Sequence, residues 1–130
     1  MKRSTFILTA LAASAAVTIP IVHCASPKNL PKDPLAWPEV LGEFTDENTI
    51  REIGLHYREK FPSVNTKERL RKLLIMDQNG RQTAPTDDLA LNVWIKDKIR
   101  RDFSAFNTIT VDGWVISVTE SRQCALFSLL

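Results

Sequence analysis

The stretch from Thr108 to Phe127 narrows the possible folds more than any other part of the chain. Thr108-Ile109-Thr110-Val111 and Trp114-Val115-Ile116 are β-branched and aromatic runs flanking Asp112-Gly113, a dipeptide that accepts the positive φ angles of a tight hairpin turn. They predict a small hairpin or a hooked extended arm. Directly after it, Ser117 and Glu120 stand three apart at the head of an apolar segment. Each side chain of such a pair satisfies one of the backbone donors that a helix start leaves free, which predicts a helix capped at Ser117 and running to the chain end. Cys124, Ala125, Leu126, Phe127, Leu129 and Leu130 surround most of that helix, more than the single stripe of a surface helix. It must be covered, either by the rest of its own domain or in part by another subunit.

The segments upstream carry helical periodicity. Trp37-Pro38 can open a short helical turn with Pro38 at its first position and Val40, Leu41 and Phe44 on its apolar side. Thr45 reads as the cap of a helix to about Lys60, with Ile50, Ile53, Gly54, Tyr57 and Phe61 on one core-facing stripe. Gly54 costs such a helix roughly 1 kcal/mol relative to Ala, so close approach by another helix is the natural reason for it. Phe61-Pro62 ends the helix, and Asn65 with Glu68 caps the next, about Thr66 to Met76, with Leu70, Leu73 and Leu74 inward. Lys67, Arg69, Arg71 and Lys72 make its outer, solvated face. Asp77-Gln78-Asn79-Gly80 is a turn.

The longest candidate runs from a cap at Thr86 to about Phe103. Its Leu89, Val93, Trp94, Ile95 and Ile99 spread over more than one stripe, which predicts a central helix with Trp94 in the core. Together these segments define a small all-α domain over residues 38–130: three or four helices, a short extended arm or hairpin, and a C-terminal helix.

Two segments precede that domain. Residues 1–24 have the basic start (Lys2, Arg3) and short apolar run (Phe6 to Val17) of an export signal, closed by Pro20 and too interrupted for a confident membrane span. Arg3-Ser4-Thr5-Phe6 is similar to a twin-arginine export motif, with Arg3 and Phe6 in place and Ser4 where the second arginine belongs. Cys24 follows the apolar run as in a lipoprotein processing site, with His23 where a small residue is usual. Residues 25–37, punctuated by Pro27, Pro31 and Pro34, read as a semi-extended tether.

Charge matters here by its location. The chain carries a net charge of +2, from seventeen Lys and Arg against fifteen Asp and Glu. Lys2 and Arg3 supply that excess from the leader, so the mature domain is neutral and has no basic field to draw nucleic acid or an anionic membrane. Membrane contact is then left to the leader or a lipid anchor. In an oxidising compartment Cys24 and Cys124 can pair; if Cys24 is lipidated or removed, Cys124 is a buried thiol or bridges to another chain.

No segment amounts to an active site. His56 and Glu59 share a helical face, yet one His and one carboxylate are too few ligands for a stable metal site. Asp77-Gln78-Asn79-Gly80 fails as a calcium loop because Gln82 stands where glycine is needed. Ser117 or Cys124 with His56 carries no hydrolase signature, and there is no glycine-rich nucleotide fingerprint or phosphate loop. No catalytic, cofactor-binding or metal-binding residue is expected, and any redox chemistry depends on a partner.

The pattern Gly113-Trp114-x-x-Ser117-x-Thr119-Glu120-x-Arg122-x-Cys124-Ala125-Leu126, with the export leader, resembles the gluconate 2-dehydrogenase subunit 3 family. These are small exported subunits of membrane-associated, flavin-dependent sugar and alcohol dehydrogenases; the middle of the chain, Lys28 to Phe103, matches only in helical character. The resemblance implies a periplasmic accessory subunit that assists export, folding or stability of a large FAD-bearing catalytic chain, often with a cytochrome subunit. In that setting Trp114, Phe127 and Leu130 are interface candidates, Cys124 a candidate inter-subunit disulfide and Cys24 a candidate lipidation site. The rival expectation is a stand-alone periplasmic lipoprotein or protein-binding module, favoured by Cys24 and the proline tether.

Overall fold

A computed structural model describes residues 33–130. The expectations for Arg3, Phe6 and Cys24, and for the tether up to residue 32, lie outside the described residues. Within them the chain is mostly helical, with one two-stranded sheet: α1 (Glu39–Phe44), α2 (Glu47–Lys60), a 3-10 turn (Pro62–Val64), α3 (Lys67–Ile75), α4 (Asp88–Ser104), β1 (Thr108–Val111), β2 (Trp114–Ser117) and α5 (Val118–Phe127).

The terminal helix is the centre of the fold. Around α5, Thr119, Glu120, Ser121, Gln123, Cys124, Ala125, Leu126 and Phe127 are all buried, and α2, α3 and α4 pack about it. The expectation that the long helix α4 is central is therefore corrected. Leu91 and Ile95 of α4 are buried, but Leu89 and Val93 point outward, so its apolar residues divide between two faces and only one meets the core.

Helix α5 survives burial because its first-turn donors are all accounted for. Ser117 accepts from the Glu120 amide at 3.0 Å while Glu120 Oε2 accepts from the Ser117 amide at 2.9 Å, the reciprocal box that the sequence predicts. The Val118 amide donates to the Asn107 carbonyl (3.1 Å) and the Thr119 amide to Asp102 Oδ2 (2.9 Å). Four amides that a helix start leaves orphaned thus all find acceptors. A buried end without them would cost about 1–3 kcal/mol for each unpaired group.

The hairpin also forms as its residues dictate. β1 and β2 pair antiparallel, with Thr110 opposite Val115 and Val111 opposite Trp114. Asp112 and Gly113 hold φ of 52° and 83°, the left-handed pair of a type I′ turn. Val111 and Ile116 point into the core, while Val115 on the other face is exposed.

The remaining caps fall one residue after the positions expected. Asp46, Thr66 and Asp87 accept from the Thr49, Arg69 and Ala90 amides, in place of Thr45, Asn65 and Thr86. Adjacent polar residues compete for a cap, and one-residue shifts are ordinary.

Residues 33–37, the end of the expected semi-extended tether, pack into the domain. Leu35 and Ala36 are buried, Asp33 pairs with Arg71, and Gln123 Nε2 donates to the Trp37 carbonyl at 3.2 Å. Trp37 lies close against Gly42, where a Cβ would fall 2.5 Å from Trp37 Cζ2. Arg71, expected on the solvated face of α3, anchors this segment.

Candidate functional site

Of the residues singled out in the tail, Phe127 is only 2% exposed. Its ring meets Trp37 edge-on at 5.2 Å and lies under Arg51, whose guanidinium sits 4.3 Å from the ring centre and donates to the Phe127 carbonyl at 3.0 Å. Among the described residues its surroundings belong to its own chain. Trp114 is half-buried against the core and Leu130 is exposed.

Cys124 is fully buried at the contact between α5 and α2. Burial, with the nearby Glu120 carboxylate, pushes its thiol well above the ordinary range. A thiol so placed is inert unless the helix opens.

His56 meets a different partner from the one its helix suggested. Its Nδ1 lies 2.5 Å from Asp112 Oδ2, tying α2 to the tip of the hairpin, and this bond raises the imidazole pKa. Among the described residues no group of three or more His, Cys, Asp or Glu could hold a metal ion. No helix among them is long and apolar enough to cross a membrane.

Two surface features remain. The first is a groove of about 530 Å³ along the outer side of α4, lined by Pro85, Ala90, Val93, Trp94, Lys96, Asp97 and Arg100. Val93, 64% exposed, is in its wall, and Leu89, 75% exposed, lies one turn before it on the same stripe. Lys96 is paired with Glu39 at 2.9 Å and Asp97 with Arg101 at 2.7 Å. The Arg100 guanidinium makes no hydrogen bond or ion pair among the described residues. The feature is apolar, and Arg100 is the cation in its lining that has no such partner among the described residues.

Beyond the far end of α4, Phe106 is 90% exposed with φ of 56°. The Asn107 amide donates to the Asp102 carbonyl at 2.8 Å and the Phe106 amide to the Phe103 carbonyl at 3.2 Å, which makes Phe106 the left-handed residue of a Schellman ending. Glycine usually stands there. Sequence reasoning missed this site, and the absence of glycine after Ser104 was the reason.

The second feature is a smaller cleft of about 300 Å³ where the end of α3 meets α4 and α5. Leu73 and Met76 give it apolar lining; Asp77, Gln78, Lys98, Asp102, Asn107, Thr119 and Arg122 supply its polar groups. Lys98 Nζ donates to the Leu73 and Leu74 carbonyls at 2.9 and 3.0 Å, neutralising the last turn of α3. Burial, then the neighbouring Arg122, lowers the Lys98 pKa to about 8, against the opposing pull of Asp102 and Asp77. No local pattern announces this cleft, because its residues come from three stretches of the chain, 73–80, 98–107 and 119–122.

Compared with known proteins, the chain matches no protein-family model, no curated protein and no solved structure.

Proposed function

We propose that this chain is a non-catalytic accessory subunit of a periplasmic, membrane-associated FAD-dependent dehydrogenase complex, assisting export, folding or stability of the catalytic subunit. The observation that carries a binding role is the outer stripe of α4, where Leu89 and Val93 stand in solvent beside an apolar groove. Helix positions facing water are normally polar, and an apolar stripe flanking a groove marks a surface made for another protein. The uncommitted Arg100 beside it asks for a partner ridge that is apolar with a carboxylate at its edge.

The identity of that partner rests on the resemblance of the tail to the gluconate 2-dehydrogenase subunit 3 family. FAD then belongs to the partner, and a cytochrome subunit is the next member of the complex. Ser117, Glu120, Cys124, Ala125 and Leu126 of the shared pattern are buried, so the pattern bears on how the chain folds rather than on what it touches.

The test is affinity purification of the tagged full chain from its native host, read by flavin absorbance, beside a Leu89→Asp/Val93→Asp variant. Both sites are exposed, so the variant keeps its melting temperature to within the effect of ordinary surface changes, about 0.5 kcal/mol each. A stoichiometric yellow partner lost in the variant supports the reading. A colourless monomer from the wild-type chain under mild extraction overturns it and leaves the stand-alone lipoprotein or binding module.

A further inference from the structure

The cleft between the end of α3, α4 and α5 has a donor balance that the fold does not account for. Two carboxylates and two cations line it. The carboxylates are committed: Asp102 accepts from the Thr119 amide and Thr119 Oγ1 (2.5 Å) on one oxygen and from Asn107 Nδ2 (3.2 Å) on the other. Asp77 Oδ1 accepts from the Asn79 and Arg81 amides at 2.8 and 2.9 Å. Neither makes an ion pair with Lys98 or Arg122.

The cations are not committed to the same degree. Lys98 spends two of its three N–H groups on the α3 carbonyls and keeps one. The Arg122 side chain makes no hydrogen bond or ion pair among the described residues, and its Nε is buried with no acceptor. A buried, unpaired guanidinium N–H costs free energy, all the more so when a second cation lines the same cleft. An acceptor carrying negative charge in the cleft would meet both cations at once.

We propose that this cleft binds a small oxyanion, a carboxylate or a phosphate, between the Lys98 ammonium and the Arg122 guanidinium. The guanidinium fork matches either group through two parallel N–H donors, and the Lys98 N–H completes the clamp. Leu73 and Met76 add apolar lining that suits a short apolar body on the anion, and Gln78 adds a further polar group. The site is separate from the α4 groove and does not depend on which partner that groove takes.

The experiment is a ¹H–¹⁵N titration of the full chain, following the Arg122 Nε–H resonance, with inorganic phosphate in one arm and propionate in the other. Sodium chloride at matched ionic strength is the control. A saturable shift with either anion, absent with chloride, is the expected result, and the arm that saturates at lower concentration identifies the head group. Arg122→Gln and Lys98→Met each weaken binding, measured by calorimetry, by at least about tenfold, and Arg122→Lys retains part of it. The wild-type titration stands alone if a variant fails to fold. Shifts that merely track ionic strength, or saturable binding unchanged in both Arg122→Gln and Lys98→Met, overturn the proposal.

Discussion

Gly54 of α2 lies directly against the backbone of Cys124 in α5: a Cβ built on Gly54 would sit 2.0 Å from the Cys124 carbonyl oxygen and 2.9 Å from the Ala125 amide nitrogen. The two helices touch through main chain, with no side chain between them. On an exposed helix, Gly to Ala gains about 1 kcal/mol. Here the new methyl meets rigid backbone, so Gly54→Ala is expected to destabilise the chain by about 3 kcal/mol, at the upper end of overpacking costs. Urea denaturation of the variant reads this directly; a variant as stable as wild type would mean that α2 and α5 separate freely.

The Ser117 and Glu120 box is buried, so its loss costs more than that of a surface cap. Ser117→Ala is expected to cost about 2 kcal/mol, and Glu120→Ala about 1–3 kcal/mol because it strands the buried Ser117 amide. Their sum should exceed the cost of the double variant, since each removes part of one shared motif. A double-mutant cycle from chemical denaturation measures that difference.

The His56–Asp112 bond makes stability depend on pH in a definite direction. The imidazole pKa is raised in the folded state, chiefly by the bond to Asp112, so the folded chain holds this proton more tightly than the unfolded one. The contribution is fully present below about pH 6.5, the unfolded value, and is lost as pH rises through the folded pKa. Asp112→Asn keeps a residue that tolerates the positive φ. Wild type should be the more stable of the two at pH 5.5, with the gap closing towards pH 8.5 in parallel melting curves.

Phe106 is expected to cost the fold more than it contributes. Replacing it by Gly relieves about 1–2 kcal/mol of left-handed strain against about 0.4–1 kcal/mol of added unfolded-chain entropy. The side chain is almost wholly exposed, so no packing is lost. Phe106→Gly should therefore raise the melting temperature slightly. A lower melting temperature would show that the ring packs on its own domain.

Cys124 should be silent in the folded chain. In a Cys24→Ser background, a thiol reagent is expected to leave native protein unmodified over the time in which the urea-unfolded chain reacts to completion. Stoichiometric reaction of the folded chain would show that α5 opens and would restore an inter-subunit bridge as a working option.

The chain's local chemistry determined its elements. Asp112-Gly113 set the hairpin and Ser117 with Glu120 set the start of α5, because each depends on residues a few positions apart, while Gly54 signalled a close helix contact without identifying the helix it meets. Tertiary structure decided which helix sits at the centre and which apolar residues stay outside. Periodicity records that Leu89, Val93, Ile95 and Ile99 are apolar but not which way each face of α4 turns, and that choice depends on α5 occupying the core. It likewise decided that Phe127 packs on Trp37 and Arg51, and that Lys98 and Arg122 share a cleft with Asp77 and Asp102. Side chains far apart in sequence meet only when the whole chain has closed around α5, so no local pattern announces them.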